Sequence, residues 1–164
     1  MDHNLLNFTS QNASSLEYTQ EEETIINDAI GILEARITSN DIFTESSSVK
    51  RYCQLQLAGE KDEFFCCLFL NNQHRMLKFE RLFRGTVDGA SVHARPIVRT
   101  ALELNAAAIV FVHNHPSGET SPSKADIAIT ARLKESLNLI DVRTLDHIVV
   151  GGPNCSSFAE QGLL

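Results

Sequence analysis

The chain has 164 residues, 43% of them hydrophobic, and a formal charge of -7. That is enough apolar material for one packed domain. The acidic balance weighs against non-specific nucleic-acid binding, which draws on clustered Lys and Arg, and no window approaches the roughly 20 apolar residues of a membrane span.

Residues 1–19 are polar, rich in Asn, Ser and Gln, and are expected to form a flexible tail. From Glu21 to about Arg36 the period turns helical. Ile25, Ile26, Ala29, Ile30, Ile32 and Leu33 supply an apolar face, and Thr19 offers an N-cap ahead of Glu21, Glu22 and Glu23. After a polar connector over 37–47, a second helix is expected from about Ser48 to Leu57, burying Tyr52, Leu55 and Val49. Residues 20–58 thus read as an N-terminal helical segment, with the main domain over 59–164.

Gly59 ends the second helix. Phe64 to Leu70 is an unbroken apolar run, the mark of a strand buried on both faces. Asn71-Asn72 signals a turn into a partner strand from Met76 to Phe83. A helix from Arg95 to about Asn105 carries Pro96 in its first turn. Ala107 to Val112 is a strand leading into His113. A helix from Ser123 to about Asn138, a strand from Val142 to Val150 and a short strand near Cys155 to Phe158 complete the order. The sum is an α/β domain with one mixed, twisted sheet flanked by helices. Cys53, Cys66, Cys67 and Cys155 include no CxxC pair and are read as small buried hydrophobes of a reducing compartment. With no leader-like segment at Met1, the chain is expected to be cytoplasmic, with no membrane association.

The chemistry concentrates in His113-Asn114-His115-Pro116-Ser117-Gly118, followed by Ser123 and Asp126. Two histidines two apart at a strand end present both imidazoles to one face, with Asn114 pointing away. Asp126, in the first turn of the next helix, can fold over the same point. Two nitrogens and one oxygen suit Zn2+ with a fourth tetrahedral position left for water, whose pKa zinc lowers to about 7. The same four residues from Ser123 to Asp126 also have the form of a capping box, so cap and ligand both stand as roles for Asp126.

The spacing His-x-His-Pro, then seven residues to Ser123 and two more to Asp126, resembles the JAMM signature of MPN/JAB metalloproteases. His-Asn-His-Pro-Ser-Gly with Pro-Ser-x-x-Asp is closer still to the RadC family, often described as DNA-repair proteins. Leu82-Phe83-Arg84-Gly85-Thr86, Ser91-Val92-His93, Ala101 to Ala108 and Asp146-His147-Ile148-Val149-Val150-Gly151 support the likeness. It covers the chain from about Glu63 to its C-terminus. The resemblance implies a cytidine deaminase-like MPN/JAB fold and zinc held by His113, His115 and Asp126. It further implies a role for the Ser123 hydroxyl in stabilising an oxyanion, beside its role as a helix cap. RadC proteins of full length carry a helix-hairpin-helix region ahead of this domain; the short N-terminus here resembles that of stand-alone members, and the region is expected to be lacking.

Family enzymes take their general base from a Glu near the start of an earlier strand. Glu63, directly before Phe64, fits that place, and Glu80 is the alternative. The base would take a proton from water as it attacks a carbonyl and pass it to the leaving amine. Asp146 and His147 are either a structural pair at a strand start or support for a metal-bound histidine. Three functions remain open: a zinc hydrolase cutting peptide or isopeptide bonds, a nucleic-acid-processing protein of DNA repair or recombination, and a non-catalytic interaction module. Protein or peptide substrates suit the first. A basic patch built by Arg75, Lys78, Arg81, Arg84, Arg95 and Arg99 would revive the second, and both Glu63 and Glu80 lying far from the histidines would favour the third.

Overall fold

Seven consecutive apolar residues without alternation require cover on two sides, and Phe64–Leu70 obtains it as β1, next to the centre of a five-stranded sheet. A computed structural model of the chain describes residues 18–38, 46–85 and 92–164. Residues 1–17 of the tail expected over 1–19, most of the connector between the first helices and the loop over 86–91 lie outside the described residues.

The elements are α1 (Gln20–Thr38), α2 (Ser46–Leu57), β1, β2 (Met76–Arg84), α3 (Ala94–Glu103), β3 (Ala108–Asn114), α4 (Lys124–Asn138), β4 (Arg143–Gly151) and β5 (Asn154–Ser157). The sheet order is β2-β1-β3-β4-β5. All neighbours are antiparallel except β3 and β4, which run parallel with α4 as their crossover. This is a mixed α/β domain with helices on both faces of the sheet.

Strand parity sorts the core into two layers. Cys66, Leu68, Leu70, Val110, Val112, Ile148 and Val150 pack against Val49, Tyr52, Cys53 and Leu57 of α2. Phe65, Cys67, Phe69, Ile109 and Phe111 pack against Ile97 and Ala101 of α3 and Leu133 and Leu137 of α4. Adjacent Cys66 and Cys67 therefore face opposite layers. Burial pushes the Cys66 thiol up to about 12 and raises Cys67 well above its ordinary value, so neither is a nucleophile at neutral pH. Cys155 departs from the expectation, being only partly buried.

The first two helices run slightly longer than the periodicity suggests, while α3 stops at Glu103, short of the expected Asn105. Thr19 caps α1 through its hydroxyl, which accepts from the Glu22 N–H, while the Glu22 carboxylate accepts from the Thr19 N–H at 2.8 Å. Only Ile26, Ala29, Ile30 and Leu33 of the expected apolar face turn inward; Ile25 and Ile32 are 62% and 59% exposed. A helix lying on the rim of a domain covers a narrow stripe, and these two isoleucines fall outside it. Leu55 is likewise only half-buried, facing an open groove between α1 and α2 rather than the core. No helix among the described residues is long and apolar enough to cross a membrane.

The basic stretch of β2 is matched by acids. Arg81 pairs with Glu60 at 2.5 Å, Arg84 pairs with Asp62, and Lys78 lies 3.2 Å from Glu80. Arg99 lies 3.9 Å from Glu103 on α3.

Phe69 is fully buried. Phe69→Ala is expected to cost about 3–5 kcal/mol, from lost transfer energy and the cavity left behind. Ile32→Ala on the exposed side of α1 is expected to stay within about 0.5 kcal/mol of the parent. Urea denaturation of the two variants side by side checks the assignment of faces.

Candidate metal centre

The β1–β3 register carries the site. Phe65 lies opposite His113, Cys67 opposite Phe111 and Phe69 opposite Ile109. Continued two residues past the last paired position, the same register sets Glu63 against His115. One side chain fixes this end of β1. Asn114, only 2% exposed, accepts from the Phe64 N–H at 2.8 Å and donates its amide to the Asp62 carbonyl at 2.9 Å. It thus clamps the backbone on both sides of Glu63. The Glu63 carbonyl accepts from the Gly85 N–H at 2.7 Å. Asn114 points away from the histidines, as strand alternation requires, and nothing in the sequence signals this clamp.

His113 is the next-to-last residue of β3 and lies on the α4 side of the sheet, almost fully buried. His115 follows, its N–H donating to the Val150 carbonyl at 2.8 Å. The loop then turns at Gly118 (φ 83°), a left-handed conformation that suits glycine. It returns across Gly151, where an added Cβ would meet the Gly118 carbonyl oxygen at 2.4 Å. The Ser156 hydroxyl of β5 donates to the Thr120 carbonyl at 2.6 Å and ties the loop down. The Glu119 carbonyl is thereby placed 2.8 Å from Nδ1 of His115. A carbonyl accepts only, so Nδ1 carries the proton and Nε2 is left as a donor to a metal.

The three sequence-predicted ligands come together. One ligand atom from each of His113, His115 and Asp126 lies within 4.8 Å of the other two, a group that could hold a metal ion. The two Nε2 atoms are 2.9 Å apart. His113 Nε2 is 3.4 Å from Oδ1 of Asp126, and His115 Nε2 is 3.6 Å from Oδ2. A tetrahedral ion with bonds of about 2.0–2.1 Å separates its ligand atoms by roughly 3.3 Å, so the residues present fit zinc in size and donor type.

Cap and ligand prove compatible for Asp126. Its Oδ2 accepts from the Ser123 N–H at 2.7 Å, and its own N–H donates to the Ser123 hydroxyl at 3.1 Å. The capping box at the start of α4 is complete, while Oδ1 remains turned to His113. Burial alone would raise the Asp126 carboxyl; the two histidines outweigh it and hold it well below the usual carboxylate range. Reciprocally, hydrogen bonding to Asp126 raises His115, against a smaller opposing effect of burial.

His115 opens onto a cleft of about 440 Å³ that Glu63, Ser123 and Glu119 also line. Glu63 is close enough to contribute to the raised pKa of His115. Glu80 sits two strands away from β3, opposite Cys67 and paired with Lys78, and is not part of this lining. Asp146 faces the other way. It accepts from the Ser157 hydroxyl at 2.6 Å and from the Ala159 N–H at 2.9 Å, fastening β5 to β4. His147 instead reaches the centre. It is fully buried, with Nε2 2.8 Å from Nδ1 of His113 and Nδ1 2.6 Å from the Thr130 hydroxyl. Phe158 stacks on its ring at a centroid distance of 4.6 Å. Thr130, one turn after Asp126 on α4, had no signal in the sequence beyond its spacing.

Comparison with known proteins agrees with this geometry. Residues 43–163 match the RadC-like JAB domain. The chain belongs to that family. A UPF0758 protein of Vibrio cholerae is 49% identical over 143 residues, covering 87% of this chain and 90% of its own length. Another from the same organism is 46% identical over 157 residues, covering 93% and 99%. A UPF0758 protein of Nitrosococcus oceani is 53% identical over 132 residues, 80% of this chain but 59% of that longer protein. The RadC-like JAB match includes α2 as well as the sheet, consistent with α2 packing into the same core.

Two outcomes follow from this geometry. Because His115 is raised above its ordinary value of 6.5, a proton competes with metal up to a correspondingly higher pH. Zinc affinity is expected to weaken as pH falls through that raised value, approaching tenfold per unit; chelator competition between pH 6 and 8.5 measures it. Gly151→Ala is expected to push the 117–120 loop off β4 and lower zinc affinity about tenfold. Gly31→Ala on α1, where nothing lies within 4 Å of the new Cβ, is expected to leave affinity unchanged and add about 0.5–1 kcal/mol of stability.

Proposed function

We propose that the chain is a zinc-dependent hydrolase of the JAMM type, cutting a peptide or isopeptide bond in a protein or peptide substrate within the cytoplasm. The observation that carries this is the meeting of two imidazoles and a carboxylate beside a cleft that also holds a non-ligating carboxylate, Glu63. His113, His115 and Asp126 would hold the ion. Bound there, zinc supplies Lewis acidity and lowers the pKa of water into the neutral range.

The chain's own residues divide the remaining work. Glu63, its backbone fixed by Asn114 and Gly85, takes a proton from the attacking water and returns it to the leaving amine. The Ser123 hydroxyl already accepts from Asp126 N–H, so its own proton is free to be donated to negative charge developing on the substrate carbonyl oxygen. Pro116, Ser117 and Glu119 line the same cleft as Asp62 and Glu63.

Support for a protein substrate over a nucleic acid comes from charge. The arginines of β2 are matched by Glu60 and Asp62, and Glu63 and Glu119 line the cleft itself. A phosphate backbone would meet carboxylates there. The nearness of Glu63 to His115 supports a catalytic role over a purely interacting one.

Glu63→Gln is expected to lower turnover by about 10²–10⁴-fold with zinc content unchanged. His113→Ala and Asp126→Ala are expected to lose the metal itself. The test is elemental analysis of each purified variant together with a cleavage panel of ubiquitin-like isopeptides, linear peptides and branched DNA. Cleavage of DNA alone, or full activity in Glu63→Gln, overturns the proposal.

A further inference from the structure

The metal centre is wired to the interior through Thr130, and hydrogen-bond bookkeeping along that wire has one solution. The Thr130 hydroxyl lies 2.6 Å from two atoms, the Asp126 carbonyl oxygen and Nδ1 of His147. It has one proton to give. Two oxygens 2.6 Å apart repel unless a proton lies between them, and the carbonyl can only accept. The hydroxyl therefore donates to Asp126. The second short contact also needs a proton, which must come from His147 Nδ1.

His147 is fully buried among Phe65, Phe111 and Phe158, and its two ring nitrogens face the Thr130 hydroxyl and His113 rather than a carboxylate. With its one proton on Nδ1, its Nε2 is a bare lone pair, 2.8 Å from Nδ1 of His113. That His113 nitrogen must then be the donor. A neutral His113 protonated at Nδ1 has its lone pair on Nε2, the atom that faces His115 and Asp126.

Resting on the metal-centre reading above, we propose that Thr130 and His147 are positioning residues whose hydrogen-bond chain locks His113 in the tautomer that presents an unprotonated Nε2 to the ion. The reverse chain, with the hydroxyl donating to His147, leaves two oxygens 2.6 Å apart with no proton between them and places a hydrogen on the ligand nitrogen. The helix that supplies the carboxylate ligand thus also dictates, through its next turn, the state of a histidine ligand on the sheet.

The test joins spectroscopy to affinity. Long-range proton–nitrogen correlation on ¹⁵N-histidine-labelled protein, zinc-free and zinc-loaded, is expected to show His147 protonated at Nδ1 in both forms and His113 protonated at Nδ1 when zinc is bound. Thr130→Val keeps the shape but removes the hydroxyl. Its zinc affinity in chelator competition is expected to fall about 10–100-fold. Thr130→Ser, which restores the hydroxyl, is expected to return to within about threefold of the parent. Zinc uptake by the parent protein combined with an Nε2-protonated His147 overturns the proposal alone, as does equal affinity in parent and Thr130→Val. No zinc uptake by the parent overturns the metal-centre reading, and this proposal with it. Because the spectrum is recorded on the parent protein, the proposal stays testable even if Thr130→Val fails to fold.

Discussion

The antiparallel pairing of β1 with β3 is the constraint on which the site depends. A single register decides that Phe65 meets His113 and brings Glu63, two residues earlier, to the cleft that His115 also lines. A slip of one residue would turn Glu63 to the opposite face of the sheet. Two things oppose such a slip. The large apolar side chains of β1 alternate between two separate core layers, so every one of them would be misplaced together. The Asn114 amide then spans the end of the ladder, where ordinary backbone pairing has stopped.

The second economy of the site lies at the start of α4. A helix needs its first N–H groups satisfied, and a metal needs a carboxylate. Asp126 can answer both because its two oxygens point different ways, Oδ2 to the Ser123 N–H and Oδ1 to His113. The dipole of α4 favours negative charge at this end, so the carboxylate is already ionised and oriented before any cation arrives. The 2.9 Å approach of the two Nε2 atoms works in the opposite sense. Two lone pairs at that distance repel, and a shared proton or a cation relieves them. The site is built to favour a positive guest.

Much of this was legible in the sequence because it rests on local rules. The unbroken run of β1 announced a doubly covered strand, and the two-residue spacing of His113 and His115 announced one shared face. Thr19 and Ser123 announced caps. What was not legible depends on pairing between distant segments. Nothing near Asn114 says that residues 62 and 64 will lie beside it. Thr130 looks like any threonine on a half-buried helix until β4 brings His147 beneath it. Asp146 and His147, adjacent in sequence, serve separate ends because successive strand residues point to opposite faces. The apolar stripe of α1 was overdrawn for a related reason. Periodicity shows which residues can be buried, and only the width of the neighbouring surface shows how many are, so Ile25 and Ile32 remained outside.

The floor beneath His147 is Phe158, delivered by the turn that follows β5 and that Asp146 secures. These residues lie C-terminal to every other part of the centre. During synthesis the cleft wall, both histidines of the candidate site and α4 are all made before the ring that braces them from below has its stacking partner. The interior half of the centre is therefore the last to be synthesised, and a chain truncated before Phe158 would carry its histidines without the packed support that gives them a fixed direction.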